Sequence, residues 1–211
     1  MNTRPRTVSK SRLRMRAEDR RAQLLEVARD LFSSIGYKET TTAMIAARAG
    51  VSEPILYRHF TSKLALFHDI LEDIASEAKA RLQNIATRGA NAAERLLALI
   101  EEFPRISEER RNLFSIVDRA LASAKDARTQ ELLCEYYRGF EALLRQLVEE
   151  GHRDGSVRKD CEASSVSWML VMYGVGFSLL SRLSWVCPGA EPNPGEVARL
   201  VGAMIRPQST S

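Results

Sequence analysis

The chain has 211 residues, 45% of them hydrophobic and 27% charged, which is enough to bury a core in one or two domains. Its three cysteines, Cys134, Cys161 and Cys187, are far apart and form no Cys-x-x-Cys or Cys/His pattern, so neither a disulfide framework nor a zinc site is indicated. Free thiols in a reducing cytoplasm are expected, and no cofactor is indicated.

The net charge of +4 is unevenly distributed along the chain. Residues 1–63 hold 13 Lys/Arg against 6 Asp/Glu, whereas the remainder is slightly acidic. A basic front end is typical of a protein that binds a polyanion at one end. Residues 1–16 are almost without apolar side chains, and we expect them to form a disordered basic arm that contacts nucleic acid or serves only solubility. They contain no apolar signal-peptide core, so secretion is not expected.

The first predicted helix runs from about Ala17 to Ile35, where Gly36 is suited to the residue after its last turn. Two short helices follow, separated by a turn at Gly50. Thr41 is the expected N-cap of the first, and Ser52 that of the second. The second helix has Glu53 and Pro54 in its first turn, where a missing proline N–H costs little.

Helical spacing divides the side chains of this pair into two faces. The expected inward set is Ile45, Val51, Leu56 and Phe60, with the small Ala46 where the helices cross. The expected outward set is Glu53, Ile55, Tyr57, Arg58 and His59. A small residue, a glycine turn and a short second helix with flanking positive charge predict a helix-turn-helix that lays its second helix in the DNA major groove.

The rest of the chain also has helical periodicity and no strand-like alternation. A long helix capped by Thr61 or Ser62 is expected to connect two domains and to end near Gly89. The next predicted helices run from Asn91 to Pro104, from Ser107 past Leu121, and from about Asp126 to Glu150, closed by Gly151. A final helix is expected at about 195–206, begun by Asn193 and Pro194.

The helix expected at about 161–185, capped by Asp160, is unusually apolar. Residues 163–181 form 19 positions without a charge, long enough for a membrane span. Five serines and two glycines dilute this stretch, and no aromatic belt flanks it. We therefore expect a buried helix in a helical bundle, at a subunit interface, and no membrane partner.

Residues 20 to 70 resemble the N-terminal DNA-binding domain of the TetR (tetracycline-repressor-like) family of transcriptional regulators. The matching residues are Ala28, Leu31, Phe32, Gly36-Tyr37, Ile45-Ala46, Ala49-Gly50-Val51-Ser52, Leu56-Tyr57-Arg58-His59-Phe60, Lys63 and Leu66. The resemblance implies an all-α fold. A three-helix helix-turn-helix domain at 17–63 is followed by a larger helical effector-binding and dimerisation domain at 64–211.

The resemblance also implies which side chains meet DNA. The expected phosphate contacts come from Thr42, Tyr57, His59 and Lys63, and the expected groove readers are Glu53, Pro54, Ile55 and Arg58, with the caps Thr41 and Ser52 beside them. Arg58 pairs with a guanine, contacts a phosphate or is only solvated. Glu53 either accepts from a cytosine or only matches the helix dipole. Ala43 occupies a position where some family members have a base-reading arginine, so readout is expected to depend more on the second helix.

By position, the helices at 161–185 and 195–206 correspond to those that pair across a two-fold axis in the family. The aromatic residues considered for an effector pocket are Phe103, Phe114, Tyr137, Phe140, Trp168 and Tyr173, although aromatic residues at helical spacing more often belong to plain core.

The sequence thus predicts a cytoplasmic, dimeric DNA-binding regulator, a repressor released from a double-stranded operator by a small, apolar effector. A helical enzyme is the alternative, although no nucleophile–base set, phosphate loop or metal-ligand cluster supports it. A membrane-associated interaction protein, an activator and an effector-independent DNA-binding protein are further alternatives.

Overall fold

The computed structural model describes residues 17–123, 125–181 and 193–207, which form nine α-helices and no strand. The helices are α1 Ala17–Ser34, α2 Thr42–Arg48, α3 Glu53–His59, α4 Lys63–Ile85, α5 Ala92–Glu109, α6 Arg111–Ser123, α7 Ala127–Asp154, α8 Ala163–Leu180 and α9 Pro194–Ile205. The all-α prediction is confirmed. The expected arm at 1–16, Cys187 and the end of the helix expected at 161–185 lie outside the described residues.

The front of the molecule is a three-helix unit packed on the first half of α4. With seven residues each, α2 and α3 are too short to be stable alone, so burial against α1 and α4 must hold them. Ile45 of α2 and Leu56 of α3 are fully buried, as are Leu24 of α1 and Leu66 of α4. The predicted inward face of the helix pair is thereby confirmed.

Side-chain caps set several helix starts where the sequence predicts them. The hydroxyl of Thr41 accepts from the Met44 N–H at 3.1 Å, and that of Ser62 accepts from the Ala65 N–H at 3.0 Å. Asn91 and Asp126 cap α5 and α7 in the same way. Ser52 occupies the N-cap position of α3 in extended conformation, but its hydroxyl makes no capping hydrogen bond.

Pro104 does not end α5, which continues to Glu109, so α6 begins at Arg111 and not at Ser107. The proline ring removes one hydrogen bond to the preceding turn. Ile106 and Ser107, beyond it, are nevertheless buried. The burial of side chains before and after Pro104 outweighs the lost hydrogen bond, so the helix continues across the proline.

Gly151 does not end α7 either. The helix continues to Asp154, and Gly155 follows it with a positive φ of 78°. A Cβ at Gly151 would lie 2.3 Å from Cγ2 of Val157, so glycine at this position permits a close approach of the following loop. The next helix is capped by Glu162, which accepts from the N–H groups of Ser164 and Ser165, and not by Asp160.

The rear of the molecule is a helical layer built around α5 and α7. The long α7 packs against α4, α5 and α8, while α9 lies on α5. α4 contributes to both ends of the molecule, because Leu66 and Ile70 belong to the front core and Ile85 to the rear core. A displacement of α4 would therefore move the helix pair in front of it.

Candidate DNA-binding surface and effector cavity

The outer face of α3 is open to solvent. Tyr57 is 50% exposed and Arg58 is also exposed, whereas Leu56, the residue before them, is fully buried. Ser52 and Pro54 at the start of the helix are exposed as well. The remaining predicted contacts on this helix are only partly accessible; they are Glu53, Ile55 and His59.

Thr42, in the first turn of α2, joins the two helices of the pair. Its hydroxyl donates to Oε1 of Glu53 at 2.5 Å and lies 3.2 Å from the hydroxyl of Tyr57. These contacts hold the first and last turns of α3 to α2 and orient the Tyr57 ring at the surface. Because the Glu53 carboxylate is already hydrogen-bonded to Thr42, it would have to break that hydrogen bond to read a base.

Lys63 is directed into the protein and not outward. Its Nζ donates to the carbonyls of Tyr37 and Thr40, both at 2.8 Å, and lies 4.4 Å from the centre of the Tyr37 ring. Two charge-assisted hydrogen bonds and a cation–π contact tie the start of α4 to the loop after α1. Lys63 thus stabilises the fold, and the predicted phosphate contact would have to compete with these bonds.

Ion pairs fasten α1 along α4. Arg21 lies 2.6 Å from Asp69, and Arg29 lies 2.8 Å from Glu77, whose second oxygen lies 3.0 Å from Arg110. Glu77 therefore connects α1 in the front unit with the junction of α5 and α6 in the rear. We refer to Arg29, Glu77 and Arg110 as the ion-pair relay.

A cavity of about 110 Å³ lies among α4, α5, α6, α7 and α8. Five of the six aromatic residues considered from the sequence line it, namely Phe103, Phe114, Tyr137, Phe140 and Tyr173. Trp168 does not, because it lies on the outer face of α8 and is 41% exposed. The cavity wall also includes Glu77 and Arg110, so the ion-pair relay borders it directly.

Sequence reasoning missed three groups that the fold brings to this cavity. Tyr136 is almost fully buried at its wall, and burial raises the pKa of its hydroxyl well above the usual range. Glu77 and Arg110 are separated by 33 residues in sequence. Nothing in the local sequence indicates that they meet, since both are ordinary charged positions on helices.

The outer faces of α8 and α9 carry large apolar side chains in contact with solvent. On α8 these are Trp168, Met172, Leu179 and Leu180, and on α9 they are Leu200 and Met204, each at least 40% exposed. We call this set the apolar face. A Cβ on Gly176, on the same helix, would meet nothing within 4 Å. α8 is long and apolar enough to cross a membrane, and 33% of it is buried. Core helices of soluble proteins meet the same criterion of length and composition.

Groups of three potential metal-ligating side chains are absent from residues 17–123, 125–181 and 193–207.

Comparison with known families agrees with this architecture. The family described as "Bacterial regulatory proteins, tetR family" matches residues 24–70, and the family described as "Tetracyclin repressor-like, C-terminal domain" matches residues 89–205. The chain belongs to the TetR family. It is accordingly a DNA-binding regulator, with α2 and α3 as its helix-turn-helix pair.

Several TetR-like proteins are similar to this chain over most of its length. The nucleoid occlusion factor SlmA of Edwardsiella ictaluri is 32% identical over 140 residues, which cover 65% of this chain and 71% of that protein. The TetR family protein CprB of Streptomyces coelicolor A3(2) has 26% identity and a TM-score of 0.66, with 92% of both chains covered. The transcriptional regulator FadR of Bacillus subtilis, solved with stearoyl-CoA, has 17% identity and a TM-score of 0.69, covering 87% of this chain and 96% of that one.

Proposed function

We propose that this TetR-family regulator is a homodimeric, cytoplasmic repressor that leaves a near-palindromic operator when a small, apolar effector fills the cavity. The observation that carries the proposal is the physical connection between the two sites. Glu77 borders the cavity and pairs with Arg29 of α1, while α4 carries both Glu77 and residues of the front core to which Leu56 of α3 also belongs.

DNA contact is assigned to the outer face of α3 and the start of α2. Tyr57, Thr42 and His59 position the protein on phosphates, and Arg58 reads a base edge in the major groove. Pro54 and Ile55 are suited to the methyl group of thymine. Residues 1–16 add six Lys/Arg to this end of the chain.

The apolar face supports the dimer. Side chains such as Met172 and Leu200, exposed in a single copy, are suited to pairing with the same face of a second copy, because a two-fold axis makes one patch serve both partners. Two copies would then present two α3 helices to successive major grooves. In this arrangement, 17–63 forms the DNA-binding domain and 64–211 the dimerisation and effector-binding domain.

Effector binding would act by shifting an equilibrium between two arrangements of α4. A ligand in the cavity that fits better when α5 and α6 move apart from α4 would strain the Glu77–Arg110 pair. Because Glu77 also holds Arg29, the strain reaches α1. The spacing of the two α3 helices would then no longer match the operator.

The experiment that tests this function is selection of genomic fragments by the purified full-length protein. We expect a small number of fragments that share a near-palindromic sequence, each bound by two copies of the chain. Compounds are then screened for release of that DNA. Failure to select any sequence over bulk DNA would contradict the regulator assignment.

The similarity to nucleoid occlusion factors favours a second candidate, an effector-independent DNA-binding protein. The same selection separates the two. Binding sites scattered over the chromosome without relation to promoters, and insensitive to apolar compounds, would support the second candidate.

A further inference from the structure

Tyr173 of α8 has a hydroxyl that nothing in the described structure satisfies. The residue lines the cavity, and its hydroxyl oxygen is buried without a hydrogen-bond partner. A buried polar group that stays unpaired lowers the stability of the fold, because it loses its hydrogen bonds to water without replacement. Buried polar atoms in native proteins are therefore nearly always paired, with protein, water or ligand.

The surroundings of this hydroxyl are aromatic. The ring of Tyr173 lies 6.3 Å from that of Phe103 and 6.0 Å from that of Phe177, measured between ring centres. Burial raises the pKa of Tyr173, so the phenol is neutral and can both donate and accept. The Tyr173 hydroxyl is thus an unpaired hydrogen-bonding group in a largely aromatic part of the cavity wall.

The charged groups of the wall are already used within the protein. Arg110 pairs with Glu77 at 3.0 Å, and Arg81 pairs with Glu109. Asp118 also interacts within the protein, although its buried Oδ2 accepts no hydrogen bond. A charged ligand would lose its hydration and would have to break one of these pairs to regain a counter-charge. The wall therefore favours an uncharged ligand.

We infer that the effector is an uncharged, largely apolar molecule with one hydroxyl or carbonyl oxygen, and that Tyr173 selects it by hydrogen bonding to that oxygen. The inference rests on the proposed function, since it names the ligand class of the same cavity. A ligand of this class satisfies the Tyr173 hydroxyl and leaves the ion pairs of the wall intact.

Calorimetric titration of the full-length protein with three single-ring probes tests the inference. They are para-cresol, which has a hydroxyl, para-xylene, which has a methyl group in its place, and para-toluate, which has a carboxylate. A cavity of about 110 Å³ is of the order that accepts one aromatic ring in other proteins. We expect para-cresol to bind about tenfold more tightly than para-xylene, as one hydrogen bond allows, and para-toluate to bind worst.

The variant Tyr173→Phe keeps the ring and removes the hydroxyl. It should bind para-xylene as the wild type does and lose the preference for para-cresol. Tyr37→Phe is the matched control, because Tyr37 lies in the front unit outside the cavity, and it should keep the preference. If Tyr173→Phe does not fold, the probe preference of the wild type still decides.

Equal binding of para-cresol and para-xylene to the wild type would overturn the inference, as would tightest binding of para-toluate or no binding of any probe. An unchanged preference in Tyr173→Phe would also overturn it. Operator affinity, measured by fluorescence anisotropy on the same preparations, reports on the proposed function separately. A protein that binds its operator but shows none of the probe preferences retains the first proposal and loses the second.

Discussion

Arg58 is exposed on α3, where its guanidinium can reach either a base edge or a phosphate. We expect Arg58→Ala to weaken operator binding by about 1–3 kcal/mol and to relax the preference at one base pair, because a bidentate pair with guanine is lost. The measurement is a competition assay against operators with single substitutions.

The matched control is Arg153→Ala, at the exposed end of α7, which should leave operator affinity unchanged. Loss of affinity that is equal for all sequences, with the salt slope reduced by about 0.9, would instead assign Arg58 to a phosphate.

For Lys63 we expect a loss of stability and no change in DNA contacts, because its ammonium donates hydrogen bonds to the Tyr37 and Thr40 carbonyls. Lys63→Met keeps most of the stem and should lower the free energy of unfolding by about 1–3 kcal/mol, the range for charge-assisted hydrogen bonds. The salt slope of operator binding should be unchanged. Urea denaturation and salt-dependent anisotropy measure the two quantities, with the exposed Lys38→Met as control. A smaller salt slope without loss of stability would restore the phosphate contact.

At the scale of helices, the cap of α7 has a pH dependence of known sign. The Thr129 N–H, at 2.8 Å from Oδ1 of Asp126, is the main cause that lowers the pKa of this carboxyl below 3.8. A carboxyl with a lower pKa in the folded state stabilises the fold above its unfolded pKa. That stability is lost as the pH falls through the folded pKa.

We therefore expect Asp126→Ala to lower the free energy of unfolding at neutral pH by about 1 kcal/mol, the typical value of an N-cap. The difference from the wild type should shrink once the pH falls below the unfolded pKa and approaches the folded one. Urea denaturation across this range measures it. A difference that is the same at all pH values would show that the charge of Asp126 is not what stabilises the cap.

Helix starts and helix ends differ in how far the local sequence predicts them. Helix starts with a capping side chain, such as Thr41 and Asn91, were predictable because the interaction spans only a few residues. The helix ends predicted at Pro104 and Gly151 are wrong. Burial beyond Pro104 keeps α5 helical, and the close approach of the loop at Val157 explains the glycine at position 151.

The same distinction applies to the two candidate sites. The outer face of α3 followed from helical spacing around a buried Leu56. Trp168 was wrongly expected in the cavity because α8 is apolar nearly all round, so periodicity does not indicate which of its sides faces the protein interior. The ion-pair relay joins Arg29, Glu77 and Arg110 from distant segments, and only tertiary structure brings them together.

At the scale of the whole molecule, a charge placed on the apolar face tests whether two copies pair through it. Met172 is 63% exposed, so Met172→Glu should cost little in a single copy but should place two charges in the interface of a pair. We expect the variant to sediment as a monomer and to bind the operator much more weakly.

Ala80→Glu is the control for this experiment, because Ala80 is exposed on α4 and lies off the apolar face. The control should remain dimeric. A Met172→Glu protein that stays dimeric with unchanged operator affinity would show that the copies pair elsewhere.

The central claim is that the outer face of α3 meets the DNA in both copies at once. The most direct measurement is photo-crosslinking to the selected operator from a benzoylphenylalanine at position 57, with position 142 on α7 as the control. We expect crosslinks from position 57 in two half-sites whose centres are about 10 base pairs, or a multiple of this, apart, and none from position 142. Protection of the operator without any crosslink from position 57 would contradict it.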